Sequence, residues 1–153
     1  MHNQIFSDLI SAIQKGAPCD NEVCRIFHGR GDKHSDINFI NLDWYPPYLF
    51  LSCYHEVDEE FKKQLVDTVW REQGNILGAL GLVFQYRAGK DTQVSIPFGD
   101  VPDQFTVSEL GAQYRVKLTK TQNTGIFPDM RTGREFVKLH AKNAKVLNLF
   151  SYT

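Results

Sequence analysis

The residues with the greatest capacity for chemistry lie between Thr119 and Arg134, which read Thr-Lys-Thr-Gln-Asn-Thr-Gly-Ile-Phe-Pro-Asp-Met-Arg-Thr-Gly-Arg. Gly125 opens backbone conformations closed to other residues and lets a main chain approach a ligand closely. Phe127 offers a ring face to a flat group or a cation. Asp129 can accept hydrogen bonds from an ammonium group, and Arg131 and Arg134 can engage a carboxylate or a phosphate. Together these side chains suit a small charged ligand with a flat ring. Taken alone, the stretch reads equally well as a turn followed by a helix cap, which accounts for Gly125 and Asp129 without any ligand.

A second piece follows near the end of the chain, Val146-Leu147-Asn148-Leu149-Phe150-Ser151-Tyr152-Thr153. Its continuous apolar start suits a strand buried on both faces of a parallel sheet. Its polar end falls where doubly wound sheets hold a ligand, outside the carboxyl ends of the strands. The two pieces at this spacing resemble the entry into the catalytic domain of S-adenosylmethionine (SAM)-dependent methyltransferases related to the 23S ribosomal RNA large-subunit enzymes. The resemblance implies SAM as cofactor, held in part by Asn123, Thr124, Gly125, Phe127, Asp129 and Arg131 and by Phe150, Ser151 and Tyr152. It implies RNA, ribosomal RNA first, as the partner. In that family the Asn-Leu-Phe-Ser-Tyr-Thr strand end is followed by glycine and the rest of a Rossmann-like sheet, whereas the last residue here is Thr153. The expectation is therefore the front portion of a methyltransferase, with an incomplete cofactor site, no catalytic residue of its own and no activity alone. Methylation at cytosine C5 would require a cysteine nucleophile, and none lies in this piece.

Elements that would position the motif follow from periodicity. Ile5, Phe6, Leu9, Ile10 and Ile13 recur at helical spacing up to Gly16, predicting a helix near residues 3–15. Strands are expected at Val23–Phe27, Ile37–Trp44 and Tyr48–Tyr54, with turns at Gly29–Asp32 and Pro46-Pro47. Asp58, Glu59 and Glu60 suit the start of a second helix, buried through Phe61, Leu65, Val66, Val69 and Trp70 and ended by Gly74. Leu82–Arg87 then returns as a parallel strand in a right-handed β-α-β unit with Tyr48–Tyr54. Val94–Phe98 is an edge strand, since Pro97 cannot donate to a central ladder. Phe105–Glu109 and Gln113–Leu118 form a hairpin about Leu110-Gly111-Ala112, and Arg134–Lys142 a short helix. The fold class expected is α+β: a mixed-sheet substrate-recognition domain over residues 1–118, then the truncated start of a Rossmann-like α/β methyltransferase domain over residues 119–153.

The net charge of −1 argues against indiscriminate coating of nucleic acid, but its distribution is uneven. From Gln113 to Lys145 there are eight basic residues against two acidic, hence +6, leaving −7 elsewhere. Arg115, Lys117, Lys120 and Arg134 are thus candidate phosphate contacts, against the alternative of a solvated basic face. Arg25, Arg30 and Lys33, with His28 and His34, form a second candidate turn for RNA phosphate or a plain solvated hairpin. Cys24, His28, Asp32, His34 and Asp36 match no metal-ligand spacing. Cys19, Cys24 and Cys53 are odd in number and unpaired by motif, so reduced structural thiols are expected. Trp44, Tyr45 and Tyr48 beside the proline pair could stack bases but more readily pack a core edge. No apolar run reaches the ~18 residues of a membrane span, and no signal peptide is evident, so the expected compartment is the cytoplasm. A stand-alone RNA- or protein-binding module is the alternative to the enzyme portion; self-association through the C-terminal strand would accompany an unpaired edge there.

Overall fold

In the computed structural model, residues 2–15, 20–31, 35–89, 91–120, 123–147 and 149 are described. Helix α1 (His2–Gln14) precedes strand β1 (Cys24–His28), two single 3₁₀ turns at Gly29–Gly31 and Ser35–Ile37, and strands β2 (Ile40–Tyr45) and β3 (Tyr48–Cys53). Helix α2 (Glu59–Val69) runs through a wider π turn at Trp70–Gly74 into the short α3 (Asn75–Leu77), after which β4 (Gly81–Tyr86) and β5 (Gln93–Gly99) complete a sheet. A hairpin of β6 (Phe105–Glu109) and β7 (Ala112–Val116) follows, then a 3₁₀ turn at Pro128–Met130 and helix α4 (Arg131–His140).

The five strands lie in the order β1-β2-β3-β4-β5, and only β3 and β4 are parallel. A parallel pair needs a crossover, and α2 provides it, capped by the Asp58 carboxylate accepting from the Phe61 amide at 2.8 Å. Pro97 falls in β5, an edge strand, where its missing donor costs no ladder bond. The turn between β2 and β3 carries a cis Pro46-Pro47 bond.

One sheet face is sealed by helices. Ile40, Leu42, Trp44, Leu49, Leu51, Cys53, Leu82 and Phe84 pack against Phe6, Leu9 and Ile13 of α1 and Phe61, Leu65, Val66 and Val69 of α2. Alternation then sends Tyr45, Tyr48, Phe50 and Val83 to the opposite face, where Val107, Val116, Leu118 and Ile126 cover them. Thus Trp44, Tyr45 and Tyr48 are core residues, with Tyr48 edge-on to Phe105 at 4.8 Å between ring centroids.

Several expectations need correction. The second helical segment does not end at Gly74, because that glycine lies under the Trp70 ring, 3.0 Å from where a Cβ would sit, while Trp70 stacks on Phe98 at 4.7 Å. The chain leaves the helix at Gly78, in the left-handed region at φ 63°. Helix α4 begins three residues earlier than expected, at Arg131, since the Pro128 turn feeds directly into it. Val146, Leu147 and Leu149 stand in no strand and are exposed, there being no adjacent strand for them to pair with among the described residues; Asn148 and Phe150–Thr153 lie outside these residues. Cys24 is disulfide-bonded rather than reduced, at the start of an edge strand, whereas Cys53 is a free, buried thiol. No helix among the described residues is long and apolar enough to cross a membrane.

Candidate functional site

The motif is bound tightly to the sheet domain. Thr124 is buried; its carbonyl accepts from the Lys117 amide at 3.0 Å, and its hydroxyl lies 3.0 Å from that of Tyr45 and 3.1 Å from the Ile126 carbonyl. The Tyr45 hydroxyl donates to the same carbonyl at 2.8 Å. Burial first, and the nearby Asp43 carboxylate second, push the Tyr45 phenol far above its ordinary range, so it remains a neutral donor. Gly125 adopts φ 109°, and a Cβ there would come 2.5 Å from the Arg115 carbonyl oxygen; no side chain fits. The Asn123 side chain accepts from the Gly125 amide at 2.8 Å and fixes the turn.

The charged motif residues are paired across long sequence separations. Arg131 donates to Glu22 at 2.6 Å and to the Val23 carbonyl at 3.2 Å. Arg134 donates to the wholly buried Glu109 and to the Phe127 carbonyl, both at 2.8 Å. Asp129 lies 3.5 Å from Arg25. These bonds hold α4 and its preceding turn onto β1, β6 and the loop before β1. The +6 stretch is correspondingly less available than its count suggests, because Arg131 and Arg134 spend their charge on internal carboxylates. Lys138 reaches the Leu110 carbonyl at 2.6 Å. Arg115, Lys117 and Lys120 remain exposed on and after β7.

On the other side of the motif, a bulge between Arg25 and Phe27 turns Arg25 toward Asp43, its direct cross-strand partner. The pair is bidentate at 2.7 and 3.0 Å and nearly buried. Burial pushes the Asp43 carboxyl up, and the two hydrogen bonds from Arg25 oppose that shift. His28 sits 2.8 Å from Arg25 and is held low by its own burial and by that cation. Arg30 lies over the Tyr54 ring at 4.6 Å, and Arg87 approaches the same ring at 5.6 Å. Lys33 lies outside the described residues, as do Ser151 and Tyr152.

Between this cluster and the motif opens a cavity of about 340 Å³, with Arg25, Asp43, Ser52, Tyr54, Gln85 and Arg87 on the sheet side and Asn123, Thr124, Phe127 and Pro128 on the motif side. The structure therefore brings Arg25, Asn123, Thr124 and Phe127 to one place, with the half-exposed Asp129 beside Arg25. Arg131 and Arg134 face the hairpin side, and Arg115, Lys117 and Lys120 follow the outer edge of β7. Ser52, Tyr54, Gln85 and Arg87 escaped sequence reasoning. The available signal was polar residues at alternate positions of otherwise apolar strands: Asn41 and Asp43 in β2, Ser52 in β3 and Gln85 in β4.

A polar-mouthed mixed sheet and a Thr-Gly-x-Phe-x-Asp-x-Arg element thus meet at one cavity. Residues 24–153 match the S-adenosylmethionine-dependent methyltransferase family, and the chain belongs to it. Ribosomal RNA large subunit methyltransferase K/L of Pseudoalteromonas translucida is 32% identical over 101 residues, which is 64% of this chain and 14% of that protein. Ribosomal RNA large subunit methyltransferase I of Alteromonas mediterranea is 36% identical over 67 residues, 44% of this chain and 17% of that protein. A Streptococcus mutans protein assigned as a SAM-dependent methyltransferase shares the fold with TM-score 0.62 and 22% identity, over 89% of this chain and 35% of that one. SMU.776, assigned as a methyltransferase and solved with SAH, gives 0.58 and 23% over 89% of this chain and 33% of that one. The chain thus spans about a third of the structural relatives and less than a fifth of these curated ones. The cofactor of the family is SAM.

Proposed function

We propose that residues 1–118 form the substrate-recognition domain, and residues 119–153 the first part of the cofactor-binding domain, of a methyltransferase acting on RNA, ribosomal RNA foremost. The observation that carries this reading is the convergence at one cavity of the family motif, through Asn123, Thr124 and Phe127, and of a cationic, aromatic mouth, through Arg25, Arg87 and Tyr54, with Arg30 over the Tyr54 ring. A donor group and a phosphate-bearing acceptor must meet within bonding reach, and much of the acceleration of methyl transfer comes from that positioning.

The residues present fit the cofactor in part. Phe127 keeps 43% of its surface exposed, so its ring face is free for a flat or cationic group, and Asp129 is the half-exposed carboxylate for an ammonium. SAM, when bound, supplies an electrophilic methyl group. Thr124, Gly125, Arg131 and Arg134 hold the motif in place through the bonds described, while the cofactor roles fall to Asn123, Phe127 and Asp129, joined by Phe150, Ser151 and Tyr152 from the following segment. Helix α4 agrees with a continuing domain. Its basic side is tied to the hairpin, while Phe136, Val137 and Leu139 remain exposed, with Val146, Leu147 and Leu149 beyond them. Val137, Val146 and Leu147 line one open cleft with Met130 and Tyr114, and an exposed apolar cleft marks a packing face.

RNA recognition is tested by fluorescence anisotropy of a labelled ribosomal RNA hairpin titrated with this chain at several salt concentrations. Binding that weakens with salt is expected, and Lys117→Ala should lower the slope of log K against log salt by about one, the share of one phosphate contact. Absence of binding at low salt would remove RNA as the substrate.

A further inference from the structure

Charges of alternating sign stand one turn apart along α2 and the start of its π turn: Glu59, Lys63, Asp67 and Arg71, all exposed. Residues four apart share one side of a helix, where such an order can pair within the helix itself. It does not do so here. Among the described residues Lys62 donates to Glu59 at 2.6 Å and Arg71 to the adjacent Glu72 at 3.1 Å, while Lys63 and Asp67 make no ion pair.

Glu59, Lys63 and Asp67 form one wall of a trough of about 550 Å³ whose other wall is β5. Cross-strand register sets Gln93, Ser95 and Phe98 of β5 beside Tyr86, Phe84 and Leu82 of β4, on the face that α1 and α2 cover. Beyond α2 that face is open. Gln93 and Ser95 are exposed, and Phe98 is covered in part by Trp70. Helices that roof a sheet lie about 10 Å apart, and the trough is one such helix-width beside α2. Its surface is apolar at Val66, Pro97 and Phe98. No charge occurs in β5 from Gln93 to Gly99, so Pro97 is the one guard on this sheet edge.

The order of the α2 charges is self-complementary. Reversed about a point beside Leu65, it sets Lys63 against Asp67 and Glu59 against Arg71 of a second copy, and a two-fold axis makes each pair twice. A slip of one helical turn in either direction sets Lys63 against Lys63 or Asp67 against Asp67, which repels. We propose that this face is a self-association surface, in which α2 of one copy lies antiparallel to α2 of a second copy in the trough beside β5. The ion pairs fix partner and register, and burial of Val66, Pro97 and Phe98 supplies affinity. The surface lies on the opposite side of the sheet from the motif, so it leaves the motif cavity and the apolar side of α4 open and stands apart from the RNA reading.

The test is analytical ultracentrifugation of this chain from micromolar to submillimolar concentration, at low and at high salt. A species of twice the 17.6 kDa chain mass is expected, weaker at high salt. Lys63→Asp faces the partner's Asp67 twice and should weaken the dimer by at least about tenfold. Adding Asp67→Lys to it should restore association, because the swapped pair attracts again. Leu139→Glu, on the exposed apolar side of α4, should leave the dimer unchanged. Asp67→Lys alone provides the same comparison if Lys63→Asp fails to fold, with the melting temperature as the check. A monomer at every concentration, a dimer indifferent to Lys63→Asp, no recovery in the double variant, or loss of the dimer in Leu139→Glu would each overturn the proposal.

Discussion

The two faces of the central sheet are made by the same strands and are buried to a similar degree, yet they obey different rules. The helix-covered face is apolar along its whole length, from Trp44 and Leu49 through Leu51 and Leu82 to Phe84. The hairpin-covered face is apolar only around Tyr45, Phe50 and Val83, then changes to Asn41, Asp43, Ser52 and Gln85. Burial of hydrocarbon stabilises; burial of an unpaired amide or hydroxyl costs. At that polar end Asp43 is paired with Arg25, while the buried Asn41 Oδ1 has no partner and costs stability.

The largest effect expected from that contrast is on the apolar face. Leu51→Ala, at a residue with no exposure, should lower the unfolding free energy by about 3 kcal/mol in urea denaturation. On the polar face, Asn41→Leu should be neutral or stabilising by up to about 1 kcal/mol, because it removes an unpaired acceptor at similar volume. A loss as large as that of Leu51→Ala would break the contrast and make the polar row an internally satisfied core.

The smallest effect sharpens the role of the pairs that anchor the motif. The hydrogen bond from Arg131, with backbone donors at Leu110 and Gly111, holds the Glu22 carboxyl below its ordinary 4.5. A lowered folded value means that the contribution is present above pH 4.5 and is lost as pH falls through that lower value. Glu22→Gln should therefore flatten the acid limb of a melting temperature against pH curve, slightly and less so in high salt. An unchanged acid limb would mean that Arg131 is held by the Val23 carbonyl alone.

Much of the fold was legible in the chain. Periodicity located α1, α2 and the strands, the helix between two apolar runs announced the parallel pair β3 and β4, and Pro97 marked an edge. The exceptions have local physical causes: Gly74 makes room for the Trp70 ring instead of ending a helix, and Val146, Leu147 and Leu149 have no neighbouring strand among the described residues. The site was legible by half. Its motif residues were visible as a string, but whether each faces a ligand or an internal partner depends on residues far away in sequence.

By itself the sequence determined the order and type of elements, the Thr-Gly-x-Phe-x-Asp-x-Arg motif and, through its resemblance, the methyltransferase family, since local spacing and side-chain chemistry suffice for those. Only the tertiary structure decided that Arg131 meets Glu22, that Arg134 meets a buried Glu109, that Asn41, Ser52 and Gln85 stand in one row, and that Ser52 and Gln85 share a cavity with Phe127. Those relations come from strand register and from the docking of the hairpin and motif on the sheet, in which a one-residue slip would send every side chain of a strand to the opposite face.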